Sequence, residues 1–229
     1  MNENNTEIAN DFLNEFVKNI KEKERAHFFA LDKQIHIFAR KEETGYTIIC
    51  QALDKLASWF IMLQQIKRKN GRTGMVDFLV KYKGYLIALE VKTDHQSLDR
   101  KTIRKTDGLF GKVEDALDQL DGLQLGKFDF LLNNPEDLIK IAFLSIVFSG
   151  SSKSIELSNS RKLKYNNDIQ EKIKIIPQMI KEKSYKEFKP IGEYWKFEEE
   201  LKYPRHHHKY PEKYGVYDGI LFLAHIDDK

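Results

Sequence analysis

One stretch of the chain constrains the rest. Residues 75–91 read Met-Val-Asp-Phe-Leu-Val-Lys-Tyr-Lys-Gly-Tyr-Leu-Ile-Ala-Leu-Glu-Val. Two apolar β-like runs, 75–80 and 85–91, flank Tyr82-Lys83-Gly84, and Gly84 can take the positive φ that a tight hairpin needs. Successive strand residues face opposite sides. Leu86, Ala88, Glu90 and Lys92 therefore share one face, and Tyr85, Ile87, Leu89 and Val91 the other. Each run is interrupted by one carboxylate, Asp77 in the first and Glu90 in the second. A carboxylate in a buried strand is costly unless a cation or a metal partners it.

Register sharpens the point. If Lys83-Gly84 is a two-residue turn, Tyr82 pairs with Tyr85 and Asp77 lies opposite Glu90, with Cβ atoms about 5 Å apart. A three-residue loop would shift that pairing by one. Two facing carboxylates repel, which raises a pKa unless a divalent cation neutralises them. A Mg²⁺-type site of Asp77, Glu90, the Val91 carbonyl and waters answers that repulsion. Lys92 beside it would orient a water or stabilise charge on a pentacovalent phosphate. The plainer reading is a buried Glu90–Lys92 pair beside a solvated Asp77.

Asp77, twelve intervening residues and then Glu90-Val91-Lys92, set in "GMVDFLV" and "GYLIALEVKT", resembles the PD-(D/E)XK nuclease superfamily. The lead-in Gly71-Arg72-Thr73-Gly74 is similar to that of archaeal Holliday-junction resolvases and related viral-type nuclease domains. The resemblance covers about residues 42–148. It implies a restriction-endonuclease-like α/β core, a central mixed sheet flanked by helices. It also implies a Mg²⁺- or Mn²⁺-dependent endonuclease that hydrolyses phosphodiester bonds in DNA. Asp77 and Glu90 would bind the metal and Lys92 would assist the attacking water. Relatives add a Gln on the following helix, for which Gln119 is the candidate and Gln96 the alternative. They also carry a Glu on the preceding helix: Glu43 is the choice here, with Glu42 and Glu15 as alternatives. Such enzymes often dimerise, so a homodimer is among the expectations. The Pro usual before the Asp is Val76 here, and no strand is evident between the preceding helix and Asp77. A nuclease fold that kept nucleic-acid binding or a scaffold role and lost catalysis is the alternative.

The rest of the chain reads around this hairpin. Ile8, Phe12, Phe16 and Ile20, widened by Leu13 and Val17, predict a helix over 6–29. Residues 34–40 suggest a short strand. Ile49, Leu53, Leu56, Phe60 and Leu63 predict a helix over 47–67, stopped by Asn70-Gly71. Residues 93–105 read as a polar, basic loop, 112–124 as an amphipathic helix, 139–148 as a buried strand and 218–226 as a final strand. Residues 161–189 carry nine Lys/Arg and four Asp/Glu, with Ile169, Ile173 and Ile176 at helical spacing before Pro177. His206-His207-His208, between Tyr203-Pro204 and Tyr210-Pro211, reads as an exposed loop. Together these predict one decorated domain, with an α-rich N-terminal part and a basic C-terminal addition over 149–229.

Charge and composition close the reading. The 229 residues hold 38 Lys+Arg against 35 Asp+Glu, so any nucleic-acid footprint must be local. Arg72 and Thr73 before the hairpin, and Arg100, Lys101, Arg104 and Lys105 after it, are the candidate phosphate contacts. Tyr194, Trp195, Tyr203, Tyr210 and Tyr214 would stack on bases or pack a small lobe. The single Cys50 excludes an intramolecular disulfide framework and a four-cysteine zinc site, which suits a reducing cytoplasm. No apolar run is long enough to span a bilayer, and neither secretion nor a membrane is expected.

Overall fold

The computed structural model describes residues 3–30, 42–68, 73–97, 108–121, 123–124, 138–151, 159–197, 204–207 and 210–227. The first helix, α1 (Glu3–Ala30), buries Phe12, Leu13, Phe16, Val17 and Ile20, as their spacing predicts. The second, α2 (Glu42–Leu56), ends eleven residues before the expected position, and the chain turns into β1 (Trp59–Arg68). The expected helix over 47–67 is thus half helix and half strand. Phe60 and Leu63 fall at helical spacing from Leu53 and Leu56 by coincidence. The bulky run Trp-Phe-Ile-Met-Leu is at home in a strand, and β1 supplies the strand that the sequence reading lacks.

Next come β2 (Thr73–Tyr82) and β3 (Tyr85–Ser97). They pair antiparallel through a two-residue turn, Tyr82 opposite Tyr85 as expected. Lys83 and Gly84 have φ of 47° and 90°, so both turn residues occupy the left-handed region. Strand β3 runs on to Ser97, so residues 93–97, expected as loop, are strand, held by a parallel partner along their whole length. That partner is β5 (Leu138–Ser151), reached through α3 (Leu109–Leu120) and the short β4 (Leu123–Gln124).

Helix α4 (Asn159–Ser184) passes through Pro177 rather than stopping there. Its buried residues Ile169, Ile176 and Ile180 hold it on the core on both sides of the proline. Strands β6 (Lys189–Pro190), β7 (Trp195–Lys196), β8 (Pro204–His207) and β9 (Tyr210–Asp227) complete the fold. The final strand begins eight residues earlier than predicted, and His206 and His207, expected in a loop, lie in β8, paired with β9, while His208 lies outside the described residues. The suggested strand over 34–40 lies outside the described residues.

The sheet runs β4-β1-β2-β3-β5-β9-β6, with β7 and β8 also pairing β9. It is mixed: β3 and β5 are parallel, and the other pairs are antiparallel. Helices cover both faces. Against one lie α1 and α2, with Phe16 edge-on to Phe143 at 5.3 Å. Against the other lie α3 and α4, over Leu86, Ala88, Leu144 and Phe148. Strand β3 is therefore interior in both senses, flanked by strands and covered by helices. No helix among the described residues is long and apolar enough to cross a membrane.

A bulge shapes the far side of the sheet. Phe148 pairs with Gly219 and Ser149 with Tyr217, leaving Asp218 as the extra residue of β9. Its carboxylate accepts the Tyr194 hydroxyl at 2.9 Å and its carbonyl accepts the Phe197 N–H at 2.8 Å. A Cβ at Gly219 would stand 2.3 Å from the Trp195 carbonyl oxygen, so only glycine fits. Gly219→Ala is expected to cost roughly 1–3 kcal/mol in urea denaturation. Gly111→Ala on helix α3, where a new Cβ meets nothing within 4 Å, is expected to add about 1 kcal/mol.

Candidate active site

Asp77, Glu90 and Lys92 come together in the interior of the sheet, 6%, 0% and 9% exposed. The β2–β3 ladder ends at Phe78 opposite Leu89. One step further, side chains take over the hydrogen bonding. The Val91 N–H donates to Asp77 Oδ2 at 2.8 Å, and the Asp77 N–H donates to Glu90 Oε2 at 3.3 Å. Main-chain groups that would otherwise be orphaned by the parting strands are satisfied by the two carboxylates. Lys92 Nζ donates to Glu90 Oε1 at 2.5 Å. From helix α2, the Tyr46 hydroxyl donates to Asp77 Oδ1 at 2.7 Å, and its ring stands edge-on to Phe78 at 5.5 Å. Each of the four carboxylate oxygens thus accepts at least one hydrogen bond. The alternative of a solvated Asp77 is overturned by its burial.

The electrostatics follow from burial. Desolvation first, then repulsion from Asp77, push the Glu90 carboxyl up to about 8, against the opposing pull of the Lys92 ammonium. Relative to an ordinary Glu, that is roughly 5 kcal/mol of preference for the neutral form.

The polar row continues past Lys92 on the same strand face. Gln96 Nε2 donates to Asp94 Oδ2 at 2.5 Å, and both residues are buried. At the end of the strand Lys172 Nζ, from α4, donates to the Ser97 carbonyl at 3.0 Å. On the opposite face Thr93 and Ser145 hydroxyls meet at 2.8 Å.

The remaining predicted residues divide. Gln119 sits half-buried on α3, the helix that packs over the face carrying Glu90 and Lys92. Gln96 is buried beside Asp94, four residues beyond Lys92. Glu15 is exposed on α1. Glu42 and Glu43 open α2, and their side chains lie outside the described residues, as does that of Thr73. Arg72, Arg100, Lys101, Arg104 and Lys105 lie outside them too. The residue missed from the sequence is Tyr46, one helical turn after Glu43. Only its position on the core-facing stripe with Ile49 and Leu53 signals it. His27 joins α1 to α2 through Gln51 at 2.9 Å.

Comparison of the chain with protein-family models, curated proteins and solved structures returns no match. The functional reading therefore rests on the residues of this site. Among the described residues no three of His, Cys, Asp and Glu group closely enough to hold a metal ion. A cation here would rest on two carboxylates, a main-chain carbonyl and water. Magnesium accepts such a set, since it keeps several waters and takes one or two carboxylates.

Two outcomes test this site. Glu90 ionises near 4.5 unfolded and near 8 folded, so the stability its proton confers is present below pH 4.5 and lost as pH rises through 8. A divalent cation that displaces the proton must restore it. Millimolar Mg²⁺ or Mn²⁺ is therefore expected to raise Tm by several degrees at pH 8.5, and less at pH 6. Asp77→Asn should abolish the response in differential scanning fluorimetry. Tyr46→Phe is expected to lower metal affinity 10–100-fold, read in the same titration, because it releases the Asp77 carboxylate.

Proposed function

We propose that the chain is a metal-dependent endonuclease that hydrolyses phosphodiester bonds in DNA. One observation carries the reading: Asp77, Glu90 and Lys92 are buried together, hydrogen-bonded into one cluster, where two strands part. Repulsion from Asp77 adds to burial in raising the Glu90 carboxyl, and a bound cation would relieve both.

Asp77, Glu90 and the Val91 carbonyl are the oxygen donors that would hold Mg²⁺ or Mn²⁺. The bound ion would supply Lewis-acid stabilisation of a phosphoryl oxygen and a more acidic water. The protein residues do the rest. Tyr46 and the Val91 N–H hold the Asp77 carboxylate in one orientation. Lys92 reaches Glu90 from the next position on the same strand face. With the Glu90 charge taken up by a cation, its ammonium is released to orient the attacking water and stabilise the phosphorane oxygens. The water oxygen bonds to phosphorus, one P–O ester bond breaks, and the leaving oxygen takes up a proton. The low-dielectric walls formed by α1 and α2 on one face and α3 and α4 on the other strengthen every one of these interactions.

Supercoiled-plasmid nicking tests the reading. Pure protein with Mg²⁺ or Mn²⁺ is expected to convert supercoiled to open-circular DNA, and EDTA to stop it. Glu90→Ala and Lys92→Ala should each lower the rate at least 100-fold. Metal-dependent cleavage that survives both substitutions would remove these residues from the chemistry. DNA binding without cleavage would favour a nuclease fold that has become a binding or scaffold protein.

A further inference from the structure

The two edges of the sheet differ. On one side the outer edge of β9 is covered by three short strands, β6, β7 and β8. Each spans two to four residues, and Pro190 and Pro204 lie among them. Short strands and prolines keep an edge from pairing with another chain. On the other side lies β1. It pairs with β2 from Trp59 to Lys67, but among the described residues its outer edge is paired only at Lys67 and Arg68, with β4. The run 59–66, Trp-Phe-Ile-Met-Leu-Gln-Gln-Ile, holds no charge and no proline. A long apolar edge of this kind is a template for strand addition.

The side chains of β1 point the same way. In β2 and β3, residues 76–80 and 86–94 are all buried. Trp59, Phe60 and Ile61 are only half-buried, and Met62 is 41% exposed. Phe60 packs against the core beneath α1 and α2, and Trp59 against the core beneath α3 and α4. Apolar surface therefore persists on both faces of this edge, where a strand laid alongside would cover it.

We propose that this edge pairs antiparallel with the β1 edge of a second copy of the chain. Such self-pairing about a two-fold axis sets one residue opposite its own image. The length of the edge fixes which one. Centred on Met62, the pair runs over residues 59–65 of each strand, clear of β4 at Lys67 and of the end of α2 at Leu56. Met62, the exposed member of the run, then lies on the axis. No like charges meet, because the run has none. The Lys67-Arg68 end of one copy comes level with the C-terminus of α2 in the other, a negative helix end beside the exposed Asp54. With the β9 edge covered, the association closes at two copies. The joined sheet sets the two Asp77 residues roughly 16 Å apart, three strand spacings across and two residues along. One substrate can then reach both sites. That consequence rests on the nuclease reading, and the interface does not.

Sedimentation velocity of the full-length protein from roughly 1 to 200 µM tests the interface. The protein is expected to pass from monomer to dimer with rising concentration and to form nothing larger. Met62→Lys sets two ammonium groups at the axis and is expected to weaken dimerisation at least tenfold. Ile175→Lys, at a similarly exposed apolar position on α4, is expected to leave it unchanged. A cross-link gives the same answer without a charge. Residues directly opposite in an antiparallel ladder have Cα atoms about 4.5–5.5 Å apart, within disulfide range. Met62→Cys is therefore expected to form a disulfide-linked dimer under mild oxidation. It is made in a Cys50→Ser background, because the Cys50 thiol lies 3.8 Å from Met62 Sδ. Tyr185→Cys in the same background, although Tyr185 is 89% exposed, is not expected to link. Wild-type protein that stays monomeric throughout would overturn the proposal. So would a dimer that Met62→Cys fails to link. If Met62→Lys lowers Tm, the cross-link alone decides.

Discussion

Two carboxylates buried at the middle of an otherwise apolar hairpin set the terms for the whole molecule. Glu90 has no solvent exposure, and Asp77 stands within hydrogen-bonding distance of it through its main chain. Burying one unpaired carboxylate costs several kcal/mol, and burying two facing ones costs more. The fold offsets this with a tyrosine hydroxyl, a lysine ammonium and two main-chain N–H groups, one to each carboxylate oxygen. Two of those donors are groups that the β2–β3 ladder no longer uses. The parting of the strands and the satisfaction of the carboxylates are therefore one event. Closing the ladder would orphan the carboxylates, and removing the carboxylates would orphan the ladder.

That arrangement also places the site. Because β3 is flanked by β2 and β5 and covered by helices on both faces, charge at Glu90 is poorly screened.

What could be read from the sequence was local. The hairpin, its two-residue turn and the Asp77–Glu90 register depend on residues within about fifteen positions of one another, and period-2 alternation specifies them. Helix α1 was equally legible, because six apolar residues repeat at helical spacing. Helix α2 and strand β1 were not separable, because Leu53, Leu56, Phe60 and Leu63 fit a helical stripe although only the first two lie on a helix. Pro177 is a stop signal in the sequence, yet packing of Ile176 and Ile180 against the core outweighs the one lost hydrogen bond. The length of β9 was hidden by Gly, Pro and Tyr residues that look like loop and become strand only beside β5 and β8.

The residues themselves determined that Asp77, Glu90 and Lys92 would share one hairpin, because strand alternation and turn length are properties of the local chain. Tertiary structure alone decided that Tyr46, 31 residues away, would hold Asp77. It alone decided that α3 and α4 would cover the Glu90 face. Such placements come from the order and direction of strands, and those are set by burial summed over the whole core rather than by any single segment.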